Sequence, residues 1–443
     1  MRLKIHRRNR LGPLLGVVLI CQGLAAAQQV PSDATARYTD PANGQGSEEL
    51  VQQALKQNGD LLAARLQVEA ASGRVAQARL RPNPSLNISS LKEVSGANND
   101  ITIGASLPLE LFGRRGRRVE VAARERNLMK DEVADRERQL AAAVRSKYGE
   151  ALAAIRNLQF VDELLGLNRS SLELTSARVQ KGATPQLEED LVRVEVNRIE
   201  TLRTEFEARV EIILLELKNL AGMQVGDSLR LKGGFDPAPV QLAREEALSR
   251  ALAQRSDLRA ARTAEDVASA HLRQAQTDGL PDASFSVNYQ RADSGFGVNG
   301  FDPAGNLRRV QGIFHFLTFG VSVSLPVRNR NQGAVESAAA EAAAARQRRE
   351  FAELVAGREV ATALVRLKKA RRNLDLYTRG VREQAQKNLG VIRQTYVLGL
   401  TPLLDVIAEQ RRYIDIETGY TEVLNQYYQA VVELERAVGN PVK

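Results

Sequence analysis

A long helical hairpin is written into this chain twice. From Gly333 to Leu398 the sequence holds no proline and reads as one very long helix. The run Gly399-Leu400-Thr401-Pro402 breaks it, and a second helix returns from Leu403 to Val438. Upstream, Gly116–Gly222 repeats the plan and turns at Gly182-Ala183-Thr184-Pro185. The offset of 217 residues from Gly182 to Gly399 holds again from Gly222 to Gly439. Val360, Leu367, Leu374 and Val381 recur every seven residues on the outgoing helix. On the returning one, Tyr413, Ile416, Tyr420, Leu424, Tyr427, Val431, Leu434 and Val438 fall three or four apart. Such stripes require another helix to cover them.

The formal charge of +9 invites a nucleic-acid reading, but its distribution argues against one. Residues 1–27 hold Arg2, Lys4, Arg7, Arg8 and Arg10 and no acid, leaving 57 Lys and Arg against 53 Asp and Glu. A basic start, the apolar run Leu11–Ala27 and its end in Ala25-Ala26-Ala27 read as a secretory signal peptide over 1–27. A transmembrane anchor fits less well, because so short an apolar run barely spans a bilayer. A lipoprotein needs a small residue before Cys21, and Ile20 is not small. Cys21 is the only cysteine, so export leaves none, excluding disulfide scaffolds, thiolate zinc sites and cysteine nucleophiles. Aromatic residues make up 5%, with no Trp for base stacking, so no nucleic-acid partner is expected.

Residues 28–47 are polar and rich in Gly, Pro, Ser and Asp, and read as a flexible leader. Ser47 can cap a helix over Glu48–Leu80, which Pro82 and Pro84 end. Two alternating segments follow, Ser85–Leu91 and Asp100–Leu107, separated by Ser95-Gly96-Ala97-Asn98-Asn99, and predict a β-hairpin. The first long helix then runs to about Lys181, on the order of 95 Å at 1.5 Å per residue. After a Gly- and Pro-rich linker at 223–243 the pattern starts again. Ala54-Leu55 and Asp60-Leu61 recur as Ala251-Leu252 and Asp257-Leu258. A second hairpin is expected from Ser284–Ala292 and Ile313–Leu325, with a long Gly-rich connection over Asp293–Gln311. The chain therefore divides into one repeat at 48–222 and another at 244–439. Helices 48–80 and 185–222, placed end to end, match the length of the long helix.

The strands pose a problem that one chain does not solve. Four strands leave two bare edges, and their faces are too few to enclose a core. Closure into a barrel is the general solution and is compulsory in lipid. Three chains would supply twelve strands.

The duplicated helix–hairpin–long-helix unit, the signal peptide and the Gly-x-x-Pro turns resemble the TolC-type outer-membrane efflux channels over nearly all of residues 48–439. The resemblance implies a mainly α chain with membrane β-strands, assembled as a homotrimer. Its twelve-stranded barrel would stand in outer-membrane lipid of a Gram-negative bacterium, continued by an α-helical tunnel through the periplasm. It implies a passive duct in a tripartite pump, partnered by a periplasmic adaptor (membrane fusion) protein and an inner-membrane RND-type pump. Leu109-Glu110-Leu111-Phe112-Gly113-Arg114-Arg115-Gly116 and Leu325-Pro326-Val327-Arg328-Asn329-Arg330-Asn331-Gln332-Gly333 look like the heavy-metal cation branch of that family, the CzcC- and CusC-like channels.

Functional candidates follow from these layouts. Thr184 and Thr401 can cap helix starts, with Pro185 and Pro402 at the first helical position and Gly182 and Gly399 ending the preceding helices. By resemblance these turns form the periplasmic tip, where the adaptor docks. Glu188 and Asp405 match acidic positions near the family's closed entrance, with Glu189 and Asp190 beside them and Ala408 where some members carry a second acid. A carboxylate ring there would favour cations and help to hold the gate; acids in a first helical turn also simply complement the helix dipole. Arg114, Arg115, Arg117 and Arg118 sit at a helix start, where the dipole disfavours cations. With Arg328 and Arg330 they would lie where barrel meets tunnel, against lipid phosphates, interchain acids or solvent. His6, His271 and His315 are the only histidines, with His315 in a strand that can turn it to the lumen, and two isolated imidazoles do not make a metal site. No phosphate loop, metalloprotease or hydrolase motif is present. Neither an enzyme nor a cofactor is expected. The rival from another class is a periplasmic adaptor or structural coiled-coil protein. It would carry one hairpin between β-domains, not two repeats each with its own strand pair.

Overall fold

The computed structural model describes residues 36–94, 98–235 and 242–439. The signal peptide assigned to 1–27, the first part of the leader, the first hairpin's tip at 95–97 and the middle of the linker at 236–241 lie outside them. Each repeat contributes two short helices, a strand pair, a very long helix and a returning helix. In the first these are α1 (Ser47–Gln57), α2 (Gly59–Arg79), β1 (Ser85–Lys92), β2 (Asn99–Pro108), α3 (Arg114–Gln180) and α4 (Gln186–Ala221). In the second they are α5 (Arg244–Gln254), α6 (Ser256–Asp278), β3 (Asp282–Phe301), β4 (Leu307–Ser324), α7 (Gln332–Leu376), α8 (Glu383–Val397) and α9 (Leu403–Val438).

The expected helix 48–80 is two helices. It breaks at Asn58, whose backbone is extended and whose side chain accepts from Leu61 N. The Asn58 amide then donates to the carbonyl of Leu220 at 3.2 Å, closing the end of α4. Arg255 does the same in the second repeat, donating to the Ala437 carbonyl at 3.2 Å at the end of α9. Both ends terminate in a left-handed glycine, Gly222 (φ 71°) and Gly439 (φ 96°). These breaks let the short and returning helices meet end to end against the long helix, as their lengths required.

Ser47 opens α1 and does not cap it; Gly46 is the cap, and its N–H donates to Glu49 Oε2 at 2.8 Å. The part of the leader at 36–46 is packed. Tyr38 is buried, and the backbone of 38–45 pairs with Arg230 and Leu231 of the linker. The second long helix is interrupted by a π-helical turn at Tyr377–Arg382.

Equivalent residues build the two cores. Leu50, Ala54, Val210 and Leu217 are buried in the first, and Ala247, Ala251, Tyr427 and Leu434 in the second. On α7, Ala356, Ala363 and Ala370 recur every seven residues with Val360 and Leu367 between them, all buried. Small residues at that spacing allow close helix approach in a coiled-coil seam. A third core near the tips joins Val161, Leu165, Val192 and Ile199 to Ile414 of α9, so the repeats pack on each other.

The four strands form one antiparallel sheet in the order β1-β2-β3-β4, so β1 and β4 are its edges. Most of the expected connection 293–311 is strand: β3 and β4 pair up to Phe301↔Leu307. Alternation makes two unlike faces. One carries Leu86, Ile88, Ile101, Ile103, Leu107, Phe285, Leu317, Phe319 and Val321; the other carries Ser85, Asn87, Thr102, Ser106, Ser286, Asn288, Thr318 and Ser322.

Candidate functional site at the helix tips and the strand–helix junction

The tips of the two hairpins are built alike. Ala183 N donates to Arg178 O at 2.9 Å and Gly182 N to Val179 O at 2.8 Å; Leu400 N donates to Thr395 O at 2.9 Å and Gly399 N to Tyr396 O at 2.9 Å. This is the paired bonding that ends a helix through a left-handed residue, and Gly182 (φ 69°) and Gly399 (φ 74°) supply it. The prolines stand one place earlier than expected. Pro185 and Pro402 are the cap residues, with ψ of 147° and 154°, and Gln186 and Leu403 open the helices. The position before a helix suits proline because ψ is extended there and no N–H is needed. Thr401 does not cap; its hydroxyl meets that of Thr395 at 3.1 Å.

The acidic candidates part company. The Tyr396 hydroxyl of α8 donates to Glu188 Oε2 of α4 at 2.9 Å, tying the second hairpin to the first. Burial first, and then this bond to a carboxylate, push the Tyr396 hydroxyl pKa up. Glu189 is buried, bonded to Ser176 of α3, and pairs with Arg193 of its own helix. A hydrogen bond from Ser176, opposed by burial and reinforced by Arg193 and Gln186, lowers its pKa. Asp190 is exposed and accepts from Gln186 at 3.2 Å. Asp405 is exposed, with no side-chain bond among the described residues.

Farther from the tip the sequence reading missed a charged network. Glu195 is 1% exposed, and its two oxygens are taken by Arg198 at 2.7 Å and by Arg411 of α9 at 2.8 Å. Burial pushes this carboxyl up, but the two guanidinium partners outweigh it and hold it below its ordinary value. At the end of the π turn, Arg382 pairs with buried Glu417 at 2.7 Å. The Tyr420 ring lies between the guanidiniums of Arg156 and Arg382, at 5.1 and 5.0 Å. One signal was available: these residues break the repeat. Tyr396 stands where the first hairpin has Val179, and Tyr420 where it has Arg203.

At the junction the basic cluster has a structural use that none of the sequence alternatives named. Arg115 donates to the Arg79 carbonyl at 2.7 Å, and Arg118 to the carbonyls of Ala78 at 3.2 Å and Leu80 at 2.9 Å, all at the end of α2. Arg114 does likewise for the end of α6, reaching the Asp278 carbonyl at 3.3 Å and that of Leu280. Cations stand at the start of α3 because two other helices end there, presenting unpaired carbonyls. Arg118 also pairs with Glu110, which holds a left-handed backbone at φ 47°. Arg117 pairs with Glu120 at 3.0 Å. Arg328 and Arg330 are exposed and make no side-chain ion pair among the described residues.

The histidines stay apart. His271 meets Glu125 at 3.3 Å, and His315 Nδ1 meets the Tyr289 hydroxyl at 2.7 Å. His315 shares the face of Phe319 and Val321, not the polar face to which a lumenal position would assign it. Among the described residues no cluster of His, Cys, Asp or Glu can hold a metal ion.

A family profile described as outer membrane efflux protein matches residues 50–223 and 247–440. This chain is an outer membrane efflux protein. The family is one of passive channels of the outer membrane, not of enzymes. The cobalt-zinc-cadmium resistance protein CzcC of Cupriavidus metallidurans is 24% identical over 382 residues, which are 86% of this chain and 87% of that protein. The nickel-cobalt-cadmium resistance protein NccC of Alcaligenes xylosoxydans xylosoxydans is 26% identical over 225 residues, 49% of this chain and 48% of that protein. Among solved structures, a membrane protein from Pseudomonas aeruginosa superposes with a TM-score of 0.73 at 20% identity, covering 89% of this chain and 92% of that one. The CusC channel superposes at 0.71 and 19% identity, with the same coverage. The fold of this efflux protein is therefore that of the TolC-like channels.

Proposed function

We propose that three copies of this efflux protein close a twelve-stranded barrel in the outer membrane and a helical tunnel below it. The carrying observation is the sheet: two unpaired edges, β1 and β4, and faces of opposite polarity. Edge β4 of one copy then pairs with β1 of the next, the apolar face meets lipid and the polar face lines the lumen. Exposed Phe351, Leu354 and Val365 on α7 and Ile212 and Leu215 on α4 give the helices apolar surface for neighbouring copies.

The helix tips face the periplasm in this reading and form the entrance, docking a periplasmic adaptor that couples to an inner-membrane RND-type pump. Transport through this component is passive. Tyr396 and Glu188 hold the entrance shut, and Glu188 with Asp405 makes it favour cations. Heavy-metal cations are the cargo, a reading supported by the two metal-resistance relatives and by the junction stretches 109–116 and 325–333. Of the junction cations, Arg328 and Arg330 alone remain free to meet lipid phosphates, each worth about 1 kcal/mol near an anionic surface. A strain lacking the protein should lose tolerance to cobalt, zinc or cadmium and regain it on complementation. Unchanged metal tolerance together with lost tolerance to organic compounds would reassign the cargo.

A further inference from the structure

The polarity of the sheet inverts part-way up β4. From its lower end the polar face runs Ser324, Ser322, Gly320, Thr318, and the apolar face Val323, Val321, Phe319, Leu317. At the next step the two exchange character. Phe316 and Phe314 stand on the serine face, while His315, Gln311 and Arg309, with Ile313 among them, stand on the valine face. Phe296 of β3 joins the phenylalanines, its ring 5.8 Å from that of Phe314, which lies 6.4 Å from Phe316. Across the sheet Phe314 is level with Ala292, Asp100 and Leu91, and Leu91 stands next to the last residue of β1. The rings therefore stand where the four-stranded wall ends and the β3–β4 hairpin goes on alone. They remain 39–49% exposed in the single chain, on a face that below them is made mainly of Ser, Asn, Gln, Thr and Gly.

We propose that Phe296, Phe314 and Phe316 of the three copies form an apolar collar around the lumen at its outer mouth. This rests on the duct reading above. Large rings replace serine and threonine on the inward face, so the passage narrows there and its wall ceases to hydrogen-bond water. An apolar constriction of this kind raises the cost of passage for bulky hydrated solutes. The collar limits entry from outside and works independently of the helix tips.

Thiol labelling of intact cells tests it. Cys21 is the only native cysteine, so an added thiol stands alone among the described residues. Thr318→Cys places one just below the rings and Arg308→Cys one above them on the same face. Both are exposed to membrane-impermeant maleimides carrying polymers of graded size. The proposal expects Arg308→Cys to label at every size and Thr318→Cys only below a cut-off. Adding Phe314→Ser/Phe316→Ser should raise that cut-off and speed labelling of Thr318→Cys near it by roughly tenfold, with Arg308→Cys confirming that the variant reaches the surface. A cut-off unmoved by loss of both rings overturns the collar. If Phe319→Cys labels in place of Thr318→Cys, the polar face is not lumenal and the collar fails with it. If Arg308→Cys does not label at all, the outer-membrane placement itself fails.

Discussion

Arg411 of α9 reaches across the bundle to Glu195 of α4 and binds one of its oxygens through two nitrogens, at 2.8 and 3.1 Å. The carboxylate is 1% exposed, whereas the Arg198 and Arg411 side chains are 37% and 51% exposed. This asymmetry decides what each substitution does. Glu195→Gln leaves two cations that water can reach and should cost about 1–3 kcal/mol. Arg198→Met/Arg411→Met strands a buried anion and should cost about 3–5 kcal/mol. Thermal unfolding of the purified protein should rank the two in that order.

The same carboxylate sets a pH dependence. Its folded pKa lies below the ordinary glutamate value of about 4.3. Its contribution to stability is therefore complete above that value and is lost as pH falls through the folded pKa. The difference in melting temperature between wild type and Glu195→Gln should shrink as pH is lowered from about 6 to about 3. A difference that holds steady over that range would show that Glu195 does not titrate with unfolding.

Tyr396 and Glu188 are the hydrogen-bonded link between the hairpins nearest the tips among the described residues. Tyr396→Phe removes a bond to a charged group, worth about 1.5–3 kcal/mol, and should shift the entrance toward its open form by roughly tenfold or more. In planar bilayers the variant should open more often than wild type. In the opened channel, Glu188→Gln/Asp405→Asn should lower selectivity for cations over anions, and unchanged selectivity would remove the acidic entrance.

Gly182 and Gly222 share a left-handed backbone, with φ of 69° and 71°, but not their surroundings. A Cβ on Gly182 meets nothing within 4 Å, whereas one on Gly222 would lie 2.5 Å from the Gln57 carbonyl oxygen. Gly182→Ala should cost only the conformational term of about 1–2 kcal/mol. Gly222→Ala should cost more and loosen the contact between α1 and α4, as hydrogen exchange at the Asn58 break would show.

Five of the six junction arginines, all but Arg117, should separate into two groups. Neutralising Arg114, Arg115 and Arg118 removes the guanidinium donors from the ends of α2 and α6 and should lower the melting temperature. Neutralising Arg328 and Arg330 should leave it unchanged but weaken binding to vesicles rich in anionic lipid. Equal effects of both sets on vesicle binding would contradict the division.

Periodicity and punctuation made the helices, the four strands and the duplicated plan legible, because the apolar stripes and the Gly-x-x-Pro turns are local signals. What escaped was set by partners distant in sequence. Arg114 and Arg118 looked misplaced until α2 and α6 were seen to end beside them. The strands of β3 and β4 beyond Asp293 hid behind glycines that pairing tolerates at a hairpin clear of the core. Nothing local distinguishes Glu195 from the many solvated glutamates of these helices; its burial depends on α9. Helix breaks at Asn58 and Arg255 were equally hidden, since neither residue is a strong breaker and both act through the carbonyls of Leu220 and Ala437.

The central claim is that one chain cannot close its own sheet. The most direct measurement is the mass of the protein extracted in detergent from purified outer membranes. Three chains in one particle are the expected result, with β4 of each pairing to β1 of the next. A monomer recovered from the periplasm without detergent would contradict it.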